Sequence, residues 1–115
     1  MILRVSIKVR DSRHVAAVLA EIVDRPAVDA GAGWVIASAQ GPDLEVLERP
    51  EGAPSSGECG IALATPLTIA EVFAIAGREG WPARHRRPPR TSGVIELLLE
   101  GDCRIDVLTA EMQGA

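Results

Sequence analysis

The chain has 115 residues, 47% hydrophobic and 24% charged, which suits a single soluble globular domain with its own core. Aromatics make up 3%, with no Tyr, so the core must be aliphatic; two His, two Cys and a single Lys leave little material for a metal centre or a stacking platform. The net charge of −4 argues against a nucleic-acid partner, and no apolar run approaches the roughly 20 residues that span a bilayer.

Residues 2–10 alternate: Ile2, Val5, Ile7 and Val9 are apolar, while Arg4, Ser6, Lys8 and Arg10 are polar. Period two predicts a strand with one face on a core, and charge at every few positions is no secretory signal. Asp11 or Ser12 is placed to cap a helix over about 14–24, whose stripe is Val15, Val18, Leu19 and Ile22. Pro26 stops it. Residues 29–33 read as a loop, 34–40 as a strand, Gly41-Pro42-Asp43 as a turn and 44–49 as a third strand.

Residues 50–57, Pro-Glu-Gly-Ala-Pro-Ser-Ser-Gly, have no periodicity and read as a linker. The pattern then starts again. Residues 59–65 form a strand, and Thr68 with Glu71 has capping-box spacing. Ile69, Val72, Phe73 and Ala76 form a helical stripe ended by Gly77 or Gly80, with a loop or short edge strand over 81–93. Strands over 94–100 and 103–109 flank a turn at Gly101-Asp102. Val5–Val9 aligns with Ile61–Thr65, Val15 with Ile69, and Leu44–Leu47 with Ile105–Leu108, so a strand–helix–hairpin unit occurs twice.

Arg4-Val5-Ser6-Ile7-Lys8-Val9-Arg10-Asp11, Ile61-Ala62-Leu63-Ala64-Thr65 and Cys103-Arg104-Ile105-Asp106-Val107-Leu108 carry a resemblance. With the paired arrangement, they are similar to the first strand, the second opening strand and the closing strand of the vicinal oxygen chelate superfamily, the glyoxalase/bleomycin resistance protein/dioxygenase fold. The resemblance runs over about 2–112. It implies an α+β fold of two βαβββ modules in tandem, forming an open mixed β-barrel with helices outside. A ferredoxin-like α/β sandwich is the alternative fold. The expected organisation is one domain over 1–115, with module 1 about 1–49, a linker at 50–57 and module 2 about 58–112.

The family's metal-ligand positions fall on Arg4, Glu45, Gly60 (or Cys59, if the register slips by one) and Asp106, so both carboxylates persist and both imidazoles are missing. Arginine has no lone pair to give a metal. No cofactor is therefore expected, the alternative being a hard divalent ion such as Mg²⁺ held weakly by the two carboxylates with water. Period two then puts Arg4, Lys8, Glu45, Glu96, Arg104 and Asp106 on the inner face as ligand-binding candidates, with Trp34, Ile36, Ser38 and Gln40 on the likewise inner face of their strand. Ile95, Leu97 and Leu99 are assigned to the core.

The run Arg84-His85-Arg86-Arg87-Pro88-Pro89-Arg90 holds four Arg and one His. It reads as a solvated loop, or as a grip on phosphate or carboxylate. His85 is the general-base candidate; His14 reads as a surface residue. Cys59 and Cys103 make no CxxC pattern, and a reduced cytoplasmic compartment is expected. The expected function is binding of a small polar or anionic molecule in the barrel cleft, without catalysis, by a homodimer. The alternatives are an atypical lyase, isomerase or dioxygenase of the superfamily, and a protein-interaction scaffold.

Overall fold

In the computed structural model the described residues are 3–38, 41–54, 58–86 and 93–110, apart from the side chains of 58–60. The chain divides into two compact units, Met1–Ser56 and Gly57–Ala115.

In the first unit, β1 (Arg4–Val9) leads into α1 (Ser12–Val23), followed by β2 (Ala27–Asp29), β3 (Gly33–Ile36) and β4 (Asp43–Glu48). Asp11 caps α1, its carboxylate accepting the His14 N–H at 3.2 Å. At the other end Asp24 takes the left-handed conformation, φ 56°, and its N–H bonds the Ala20 carbonyl. The helix thus closes two residues before Pro26. Val15, Val18, Leu19 and Ile22 are all buried, as the stripe predicts, and α1 packs on the sheet.

The sheet order is β1-β4-β3-β2, with β1 parallel to β4 and the other pairs antiparallel. Aligned residues share a face. Ile7 lies opposite Val46, and both are buried; Ser6 lies opposite Glu45 on the other side. β2 is a strand where the sequence reads as the approach to a loop. It has only three residues, too few for alternation to show, and it is held by the turn after it: Gly31 N–H donates to Asp29 Oδ1 at 2.8 Å and Ala30 N–H to the Gly33 carbonyl at 2.8 Å.

The second unit repeats this plan. β5 (Glu58–Ala64), α2 (Ile69–Glu79), β6 (Ala83–Arg86), β7 (Val94–Leu99) and β8 (Cys103–Leu108) form a sheet of order β5-β8-β7-β6, with β5 parallel to β8. Thr68 and Glu71 form the full capping box, and Gly80 at φ 72° closes the helix. The buried residues of α2 are Val72, Ile75 and Ala76, so Ile75 belongs to the stripe and Phe73 is half-buried. Ile95, Leu97, Leu99, Ile105 and Val107 are buried, as expected. Each unit is therefore βαβββ, and the protein is α+β.

Candidate functional site

The face of each sheet away from its core carries the polar residues. In the first unit one row crosses all four strands: Val28 opposite Val35, Val35 opposite Glu45, Glu45 opposite Ser6. Glu45 accepts a hydrogen bond from Ser6 Oγ at 2.7 Å and pairs with Arg4 Nη1 at 3.4 Å. Lys8 aligns with Leu47 and Arg4 with Asp43 on this same face. Arg4, Lys8 and Glu45 are thus brought onto one surface, as the sequence predicts.

Trp34 is on the other side. It lies opposite Val46 and Ile36 opposite Leu44, both facing the core, while Val35 shares the Glu45 face. The expected inner face of this strand is therefore reversed. A strand that is apolar on both faces gives no contrast from which to read its register. Ser38 lies beyond β3, where its N–H donates to Asp43 Oδ1 at 3.1 Å. Gln40 falls outside the described residues.

In the second unit the corresponding row is Arg84, Glu96, Asp106 and Ala62. Arg86 and Arg104 stand on the same face, two residues along their strands from Arg84 and Asp106. Glu96 is largely buried, its side chain 10% exposed, and takes one arginine on each oxygen: Arg84 Nη2 donates to Oε2 at 3.0 Å, and Arg86 Nε is ion-paired with Oε1. Asp106 faces Arg86 Nη2 at 3.7 Å and Arg104 Nε at 3.8 Å. Burial alone would push the Glu96 carboxyl up. The hydrogen bond from Arg84 and the charges of Arg84, Arg104 and Arg86 outweigh it, and hold the carboxyl below its ordinary value.

Glu96, Arg104 and Asp106 are brought together as predicted. Arg84 and Arg86, in the stretch read as a loop or short edge strand, join them from the edge strand β6. The period-two spacing of Arg84-His85-Arg86 carries that signal, but the four arginines nearby obscure it. Arg87 and Arg90 fall outside the described residues. His85 does not join the cluster. It lies opposite Ile95, on the buried face, and its Nε2 has no hydrogen-bond partner among the described residues.

Gly60 lies on β5, in a stretch where the ladder is irregular: Glu58 aligns with Arg104 and Ala62 with Asp106. Cys103 is buried, while the side chain of Cys59 is outside the described residues. Trp81 is buried directly after the α2 cap. Among the described residues no three His, Cys, Asp or Glu side chains cluster as metal ligands. Nor is any helix long and apolar enough to cross a membrane.

A duplicated βαβββ unit, each sheet with a parallel outer pair and a polar face, is the glyoxalase/bleomycin resistance protein/dioxygenase fold, and solved structures bear this out across the chain. A member of that superfamily from Sphaerobacter thermophilus DSM 20745 superposes with a TM-score of 0.67 at 12% identity, over 95% of this chain and 96% of that one. Lactoylglutathione lyase from Agrobacterium tumefaciens gives 0.67 at 13% identity, over 100% and 97%. TnmS3, an antibiotic binding protein from Streptomyces sp. CB03234, gives 0.64 at 15% identity, over 95% and 94%. No family model matches the sequence, and no curated protein does.

Proposed function

We propose that the protein binds a small polar, anionic molecule at the arginine-bearing sheet face of its second module. One observation carries the reading: Arg84, Arg86 and Arg104 converge on Glu96 and Asp106, which lie deeper than the arginines do, so guanidiniums form the outer layer of the face. The carboxylates hold planar guanidinium forks in place, so a phosphate or carboxylate would meet donors whose freedom is already spent. In the first module Arg4 and Lys8 stand beside Asp43 and Glu45 with no arginine cluster among the described residues, so that face plays the lesser part.

Binding is favoured over metal-dependent catalysis by the donor set. Of the four positions that the family resemblance maps to ligands, Arg4 is a cation, Gly60 has no side chain, and Glu45 and Asp106 already face guanidiniums. A dication at either carboxylate would sit within a few ångströms of like charge, so these residues do not fit a divalent metal. TnmS3 is an antibiotic binding protein on the same fold, which supports a role in binding.

The test is calorimetric titration of the full chain with inorganic phosphate and with succinate, at low salt. Saturable binding is expected, weakened about tenfold in Arg84→Ala, the loss of one charge-assisted hydrogen bond. Arg84 is 74% exposed but its partner Glu96 is largely buried, so the variant's melting temperature is measured alongside, and binding is compared at a temperature where both proteins are folded. Absence of saturable binding by either anion, or affinity unchanged in both Arg84→Ala and Arg104→Ala, overturns the reading.

A further inference from the structure

The internal repeat supplies its own control for the site. Glu45 and Asp106 occupy the same place in their modules: each is on the strand paired in parallel with the module's first strand, and each faces a corresponding residue there, Ser6 or Ala62. In the first module the Ser6 hydroxyl donates to Glu45 Oε1 at 2.7 Å. In the second that donor is gone, since Ala62 has only a methyl group. Asp106 Oδ1 is a buried acceptor with no hydrogen-bond partner among the described residues. Its neighbour Arg104 Nε, at 3.8 Å, is an ion-pair distance and too long for a hydrogen bond. A buried acceptor left without a donor is costly, and such an acceptor beside a cationic face invites a donor from outside the chain. Ala62 is exposed and the Asp106 side chain is partly so, which leaves the carboxylate within reach of solvent.

We infer that the ligand is an anion that also carries a hydroxyl or ammonium donor, and that this donor takes up the place of the missing serine hydroxyl beside Asp106. The anionic group is held by Arg84 and Arg86, and the donor by the Asp106 carboxylate, whose terminal torsion turns easily enough to present either oxygen. This deepens the proposed anion-binding role and rests on it. Hydroxy acids, amino acids and polyol phosphates belong to the ligand class; their deoxy counterparts do not.

The experiment pairs probes that differ only in the donor: malate against succinate, and glycerol 3-phosphate against propyl phosphate, titrated into the full chain. The wild-type protein should prefer the hydroxylated member of at least one pair by about tenfold, one charge-assisted hydrogen bond. Ala62→Ser restores the hydroxyl of the first module and should erase that preference while leaving succinate and propyl phosphate affinities unchanged. Asp106→Asn should also reduce it, since the acceptor loses its charge. Equal affinities within both pairs in the wild type overturn this inference and leave anion binding standing. A preference that persists in both variants likewise overturns it. No binding of any probe overturns the anion-binding role itself.

Discussion

In the first module the row crossing four strands reads Val28, Val35, Glu45, Ser6; in the second the same row reads Arg84, Glu96, Asp106, Ala62. The backbone plan beneath is the same in both, down to the parallel outer pair. The buried faces agree in kind, with Val46 and Ile7 in one and Val107, Ile105 and Ile95 in the other. Topology is thus specified by the buried side of each sheet, where a change of register would turn every apolar residue outward. The other side is free to diverge, and it has. One module carries a valine pair with a serine-bound glutamate, and the other an arginine network built on two carboxylates.

The comparison can be broken most directly at Gly33. A methyl group there would stand 2.5 Å from the Val46 carbonyl oxygen and 2.6 Å from Leu47 Cδ2. Backbone oxygen cannot yield as a flexible side-chain tip does, so Gly33→Ala should cost about 1–3 kcal/mol of folding stability. The second module places Val94 at the corresponding point, two residues before Glu96 as Gly33 stands two before Val35. Val94→Ala, which shortens a half-buried side chain without a clash, should cost less. Urea midpoints of the two variants check the ranking. A neutral Gly33→Ala would mean that β3 and β4 do not approach so closely, and that the modules are more alike than the Gly33–Val94 difference implies.

A second, smaller effect separates the two polar faces by pH. Glu96 is held below its ordinary value, so the folded state binds its proton less readily than the unfolded chain. Its ionised form therefore adds stability above the unfolded carboxylate value of about 4.3, and that increment is lost as pH falls through the lowered folded value. Glu96→Gln removes the acceptor charge that Arg84 and Arg86 share. The variant should be less stable than wild type at pH 7, with the gap closing on acidification below about pH 4. Denaturation midpoints measured from pH 7 to pH 3 give the curve. A gap that stays constant with pH would show that the loss is one of packing and that the ion pairs contribute nothing.

Much of the fold was legible because its signals are local and redundant. The alternation of Val5, Ile7 and Val9, the Asp11 cap, the Thr68–Glu71 box and the two aliphatic stripes each follow from short-range chemistry. The repeat then doubled every one of them. The site was legible only in part, because it depends on which strands are neighbours. Glu96, Arg104 and Asp106 lie on strands that a hairpin turn joins, so their shared face could be read. Arg84 and Arg86 reach Glu96 only through the β6–β7 register, across residues 87–92, and sequence spacing does not encode it. Trp34 failed for a different reason. Its strand has apolar residues on both sides, so only the pairing with Val46 decides which side is buried.

The smallest expected effect is the most discriminating, since it exchanges one atom between the modules. Ser6→Ala gives the first module the residue that the second has, and deprives Glu45 Oε1 of its 2.7 Å donor. Glu45 is partly solvated, so water replaces much of what is lost, and the cost should be about 0.5–1.5 kcal/mol. Ala62→Ser makes the reverse exchange beside an acceptor that has no donor among the described residues, and should raise stability by a similar amount. The double variant should return close to wild type, because each exchange acts on the carboxylate of its own module. Thermal and urea unfolding of the four proteins measures this. Opposite signs for the two single variants would establish that Ser6 and Ala62 are equivalent positions of one repeated unit. A destabilising Ala62→Ser would instead mean that the space beside Asp106 is already filled, and the two faces would then differ in packing as well as in charge.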